Sequence, residues 1–160
     1  MMSRTMNKNT GFTLIEVLIA VVLLAGGLLG LAALQAASLK NNQSAYNRSQ
    51  ATQLAYDMAD RIRANPTEAN NLAASVYVAT TTATAQSSCK ISPGCTPALM
   101  AQNDRAEWNA NIITALGSLG TGSVTGNTAT RIFTITISWD DNRDGAVNSS
   151  DPNFAMSFQI

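Results

Sequence analysis

The chain has 160 residues, 46% of them apolar and only 12% charged, and its ten basic and ten acidic side chains cancel. Binding nucleic acid by bulk electrostatics needs a basic surface, so no direct nucleic-acid contact is expected. His is absent and only two Cys occur, which excludes His-dependent triads, His-ligated zinc, Cys₄ zinc and iron–sulfur clusters. An enzyme is disfavoured, with carboxylate or lysine chemistry formally open.

The apolar residues concentrate near the N-terminus. Val17 to Leu39 carries no charge. A helix over that run is about 34 Å long, enough to cross a bilayer core. Arg4 and Lys8 precede it and Lys40 follows, which favours a cytoplasmic N-terminus and an exported remainder. Three readings compete. A secretory signal peptide would have a shorter apolar core, although Ala32-Ala33 and Ala36-Ala37 offer small-residue cleavage sites. A plain membrane anchor is the second. The third follows from Glu16 at the start of the run, because a carboxylate inside a membrane helix is costly and marks function.

Gly11-Phe12-Thr13-Leu14-Ile15-Glu16-Val17-Leu18-Ile19-Ala20 resembles the processing site of type IV prepilins and of type II secretion pseudopilins. The resemblance implies cleavage by prepilin peptidase between Gly11 and Phe12, N-methylation of Phe12, and a leader peptide at 1–11. It also gives Glu16 a role in assembly, paired with the Phe12 ammonium of a neighbouring subunit. Gly11, without a side chain, lets a protease take the backbone in extended form. A charge pair in low dielectric sets register more than it adds stability.

The helix is expected to continue past the membrane, from Phe12 to Ala64. Gln35 to Ala64 contains neither Pro nor Gly. Ala51, Leu54, Ala55, Met58 and Ile62 form one apolar stripe. Asp57 and Arg61 form an i, i+4 pair, Arg61 and Arg63 suit the last turn, and Asn65-Pro66 ends the helix. Gly26, Gly27 and Gly30 interrupt the apolar half, where they suit close helix packing in a membrane or a weak segment of the filament core. The implied division is a transmembrane and filament-core segment at 12–39 and a periplasmic globular head at 40–160.

Residues 67–95 are polar, with a strand expected within Ser75–Thr82. Cys89 and Cys95 flank a Pro-Gly turn. In an exported domain a disulfide is the default, with a redox or metal pair as the alternative. Thr96-Pro97 reads as an N-cap and first turn of a helix reaching about Leu116, stopped by Gly117. Trp108, Ile112 and Ala115 share its inner face. Asp104, Arg105 and Glu107 are expected on its solvated face. Gly117 to Asn127 reads as a glycine-rich loop. Arg131–Trp139 and Asn153–Ile160 each alternate with period two, which predicts an antiparallel hairpin whose apolar face covers the helix stripe. The fold class is α+β, the type IV pilin ladle: a long N-terminal helix on a small antiparallel sheet.

Between the two strands, Asp140 to Asp151 fits the twelve-position calcium pattern. Asp140, Asn142, Asp144 and Asp151 supply side-chain oxygens and Ala146 a carbonyl, with Asn148 acting through water. Asp rather than Glu at the last position and flanking strands rather than helices depart from the pattern. An Asx-rich turn is the competing reading.

The start motif, the Met58-to-Pro66 helix end, the Asp104-to-Trp108 helix and the strand ending in Trp139-Asp140-Asp141 together resemble the PilV family of minor pilins. That resemblance implies a structural subunit of the inner membrane and then of the cell-surface pilus. Its partners would be other minor and major pilins, prepilin peptidase, the inner-membrane assembly platform and a tip adhesin. It would prime assembly and support adhesion and twitching motility. A type II secretion pseudopilin is the alternative, and a membrane-anchored enzyme or DNA receptor is the alternative of a different class.

Overall fold

The computed structural model describes residues 11–160. The leader, with Arg4 and Lys8, lies outside the described residues except for Gly11. Helix α1 spans Leu14–Ala64, within two residues of the predicted start and at the predicted end. The chain divides into two compact units, one reaching Asn42 and the other running from Gln43 to Ile160.

In the first unit, every residue from Gly11 to Asn42 is exposed, including Leu14, Ile15, Leu23, Leu24 and Leu29. The helix there is long and apolar enough to span a membrane. No polar face balances this surface, so in water it would be uncovered hydrocarbon of a size that monomeric soluble proteins avoid.

The second unit has a core. Ala51, Ala55, Met58, Ala59 and Ile62 of α1 are fully buried. Beyond Asn65 come a short helix α2 (Pro66–Asn70), a 3₁₀ turn at Val76–Val78 and another at Ser87–Lys90. Helix α3 (Pro97–Leu116) starts as predicted: Thr96 Oγ1 accepts from the Leu99 amide at 3.3 Å. It stops at Gly117, whose φ of 99° is left-handed and favours glycine.

Three antiparallel strands complete the unit: β1 (Thr121–Asn127), β2 (Ile132–Ser138) and β3 (Asn153–Gln159), in the order β1-β2-β3. In register, Val124 faces Ile135 and Ile135 faces Met156. The expected alternation holds: Phe133, Ile135, Ile137 and Trp139 are fully buried, and Phe154, Met156, Phe158 and Ile160 pack beside them. These residues share one core with the α1 stripe and with Trp108 and Ile112 of α3.

Three expectations are corrected. Ser75–Thr82 is not a strand. Ser75 Oγ accepts from the Tyr77 amide at 3.3 Å and Glu68 Oε2 from the Val76 amide at 2.7 Å, so local partners replace a ladder. The buried residue is Tyr77, between the two valines that suggested the strand. Gly117–Asn127 is not wholly a loop, because β1 occupies most of it. Its glycines permit close packing: a Cβ at Gly122 would overlap the Trp108 ring, and one at Gly126 would lie 2.9 Å from Leu72. Third, Asp104, Arg105 and Glu107 do not form a solvated face.

Candidate functional site

At the start of the described chain, Gly11, Phe12 and Thr13 precede the first helical residue. The Thr13 carbonyl accepts from the amides of Glu16 and Val17 at 3.1 and 3.3 Å, which closes the first turn. Helical spacing sets Glu16, Val17, Ala20 and Leu24 along one shallow groove of about 500 Å³, which Phe12 lines just ahead of the helix. Glu16 is exposed and makes no ion pair among the described residues. The arrangement thus presents one carboxylate at the head of an apolar strip, with the non-helical residues Gly11 to Thr13 before it. A first-turn carboxylate also complements the helix dipole.

In the second unit, a polar cluster crosses the core boundary. Arg61 Nε lies 3.0 Å from Asp57, and Arg61 Nη1 lies 3.1 Å from Asp104 and 3.2 Å from Glu107. Tyr77 donates its hydroxyl to Asp104 at 2.6 Å. Lys90 reaches Glu107 at 2.9 Å. Both Asp104 oxygens are thereby engaged, which makes it a clamp rather than a base. Burial raises the Tyr77 pKa, and the Asp104 carboxylate raises it further. Lys90, then Arg61 and Asn103, hold Glu107 down at about 2. Burial works to lower the Arg61 pKa, but Asp57, Glu107 and Asp104 outweigh it and the net shift is upward. Arg105 is lowered by burial; its guanidinium donates to the Val76 and Thr81 carbonyls at 3.2 and 2.8 Å.

Cys89 and Cys95 form a disulfide, as expected. Joined in this way, the two sulfurs offer no thiolate to a metal.

The loop after β2 brings the carboxylates of Asp140, Asp144 and Asp151 together, with one oxygen from each within 4.8 Å of the others. Asn142 Nδ2 donates to Asp144 and to Ser150 at 3.2 and 3.0 Å, and its Oδ1 accepts from the Asp144 amide at 2.8 Å. The Ala146 amide donates to Asp144 Oδ1 at 3.0 Å. The same carboxylates accept backbone amides: Asp140 from Asp144 and Gly145, Asp151 from Asp141 and Asn148. The Ala146 amide, then Asn148 and Asn142, lower the Asp144 pKa and keep it ionised. Hard oxygen donors converging on one point suit calcium, and the amide contacts suit an Asx-turn loop equally well. Asp141 stands apart from this group. It accepts from Trp139 Nε1 at 2.9 Å and from Asn47 at 3.1 Å, which ties the loop to α1.

Sequence reading missed the Tyr77–Asp104–Arg61 cluster. A signal existed: Asp104 is four residues before Trp108 and eight before Ile112, so it belongs to the buried face.

Residues 33–106 match the family model described as Type IV pilin Tt1218, and residues 6–32 match the prokaryotic N-terminal methylation motif. No curated protein and no solved structure matches. The two matched stretches adjoin and the small antiparallel sheet lies beyond them, so the chain is similar to type IV pilins over residues 33–106 and to the methylation motif over 6–32, and its α+β fold, a long N-terminal helix with a small antiparallel sheet, is pilin-like.

Proposed function

We propose that the protein is a minor type IV pilin, a structural subunit that is cleaved after Gly11, N-methylated at Phe12 and built into a pilus with other pilins. The observation that carries this reading is the exposed apolar segment of α1, headed by Phe12 and bearing Glu16 as its single charge before Lys40. Such a surface is satisfied first by lipid and then by the same segments of neighbouring subunits. Glu16 would meet the Phe12 ammonium of the adjacent subunit, so that only processed, correctly registered copies leave no buried charge unpaired. In the PilV-like role, the subunit joins other minor pilins to prime assembly and supports a tip adhesin, and motility and attachment depend on it. Type IV pilins are structural proteins, which agrees with the expectation that this one is not an enzyme.

The membrane orientation that follows is a cytoplasmic leader and a periplasmic head. The Asp140–Asp151 loop is proposed to hold calcium through Asp140, Asn142, Asp144, Asp151 and the Ala146 carbonyl.

Mass spectrometry of the mature chain tests the central reading. N-methyl-Phe12 at the terminus is the expected result. A terminus near residue 34 or 38 would mean ordinary signal-peptide cleavage. Affinity capture after crosslinking separates the two assembly systems. Pilus subunits and the pilus platform are expected; secretion-system components alone would favour the pseudopilin.

A further inference from the structure

Between Tyr77 and Ala101 only the partly buried Val78 packs against the hydrophobic core, and no residue from Ala79 to Thr96 is buried. This strap, residues 79–96, is held to α3 by polar contacts. Arg105 donates to the Thr81 carbonyl at 2.8 Å, Asn103 accepts from the Gln86 amide at 2.9 Å, Gln102 accepts from the Gln86 side chain at 2.9 Å, and Lys90 meets Glu107 at 2.9 Å. Exposed and half-exposed polar contacts of this kind each hold weakly. The Cys89–Cys95 disulfide closes the end of the strap, directly before the Thr96 cap of α3. It fixes the short 3₁₀ turn that carries Lys90 to Glu107. Ala79 and Thr80, at the start of the strap, also wall a groove of about 320 Å³ along the side of β1 that has no strand partner, opposite Ser123 to Thr125.

We infer that residues 79–96 are a redox-latched strap, a unit that opens separately from the core and whose closure depends on the Cys89–Cys95 bond. This goes beyond the assembly role and does not rest on it. Opening requires a dithiol reductant. One thiolate attacks a cystine sulfur and breaks the Cys89–Cys95 bond, and the second then releases the reductant as its own disulfide. Two electrons pass to the protein, leaving two thiols. The bridge closes a short loop, and losing it restores loop freedom that corresponds to a shift of about 50-fold in the opening equilibrium in the chain-entropy picture. Opening frees the polar face of α3 and widens access to the unpaired side of β1.

Hydrogen–deuterium exchange on the full chain in detergent micelles tests this, with and without dithiothreitol. Exchange at the Gln86, Cys89 and Gly94 amides is expected to accelerate at least tenfold on reduction. Exchange at Phe133, Ile135 and Ile137 of β2 should stay unchanged. A Cys89→Ser, Cys95→Ser variant should reproduce the reduced pattern without reductant. If that variant does not fold, in-place reduction of the wild type still decides. Unchanged exchange in the strap would overturn the inference by showing an idle bond. Loss of protection throughout β2 would overturn it by showing a clamp on the whole head.

Discussion

Tyr77 and Asp104, 27 positions apart in sequence, share a 2.6 Å hydrogen bond between two buried side chains. The bond joins the 3₁₀ turn to α3, and through Arg61 it reaches α1. Tyr77→Phe would keep the ring and leave an Asp104 oxygen without its donor. An uncompensated buried acceptor costs about 1–3 kcal/mol. The urea midpoint of the head should fall accordingly. An unchanged midpoint would mean that water replaces the hydroxyl.

The same cluster sets an acid limit. Glu107 has its pKa depressed to about 2, from an ordinary value of 4.5, chiefly by Lys90. A depressed carboxylate contributes stability above its unfolded pKa and loses it as pH falls through the folded value. The melting temperature should therefore drop between about pH 4.5 and pH 2. Glu107→Gln should be less stable at pH 7 and show a shallower acid decline. A parallel decline in both proteins would remove Glu107 from the account.

Gly122 lies under Trp108. Gly122→Ala places a methyl into the ring and should destabilise by about 1–3 kcal/mol through overpacking. Gly126→Ala meets the side chain of Leu72, which can shift, so its effect should be smaller. Tryptophan fluorescence followed through urea unfolding gives both values. The reverse order would mean that β1 moves away from α3 more easily than Leu72 does.

If the acidic loop holds calcium, the head melts higher with calcium than with chelator. The gain is about 2.7 kcal/mol when the ion is at 100 times its dissociation constant. Asp144→Ala should abolish the difference and leave the sheet intact, since Asp144 is exposed and contacts only its own loop. Magnesium should substitute poorly because of its strict octahedral shell. No shift at millimolar calcium would make the loop an Asx turn.

Glu16→Ala should still be processed and still reach the membrane, because removing a charge eases insertion. In competition with wild type it should be incorporated less, because the neighbouring ammonium loses its partner. Equal incorporation would remove that role from Glu16.

Periodicity made much of this fold legible. The α1 stripe and the alternation of β2 and β3 follow from side-chain spacing, and the Thr96 and Gly117 limits of α3 follow from capping chemistry. What sequence concealed was governed by single contacts. In β1, Gly122 and Gly126 look like loop residues because the side chains that fill their space belong to Trp108 and Leu72. The 3₁₀ turn at Val76–Val78 mimics a strand because its amides are satisfied by Glu68 and Ser75 rather than by a neighbour. Asp104 looks solvated because its partners, Tyr77 and Arg61, are far away in sequence. The calcium-pattern residues were found by spacing, and the loop does draw the Asp140, Asp144 and Asp151 carboxylates together.

The small residues in the α1 stripe have a mechanical consequence. Ala51, Ala55 and Ala59, four apart and without exposed surface, form a shallow track in which the rest of the head is seated. The track has stops at both ends. One turn earlier is Asn47, fastened to Asp141, and one turn later is Arg63, whose guanidinium lies 4.6 Å from the centre of the Phe158 ring. Sliding by a single turn would drive an amide or a guanidinium into a space cut for a methyl group. A load along the helix axis therefore meets a ratchet with one tooth engaged, and the seat must break before it can creep.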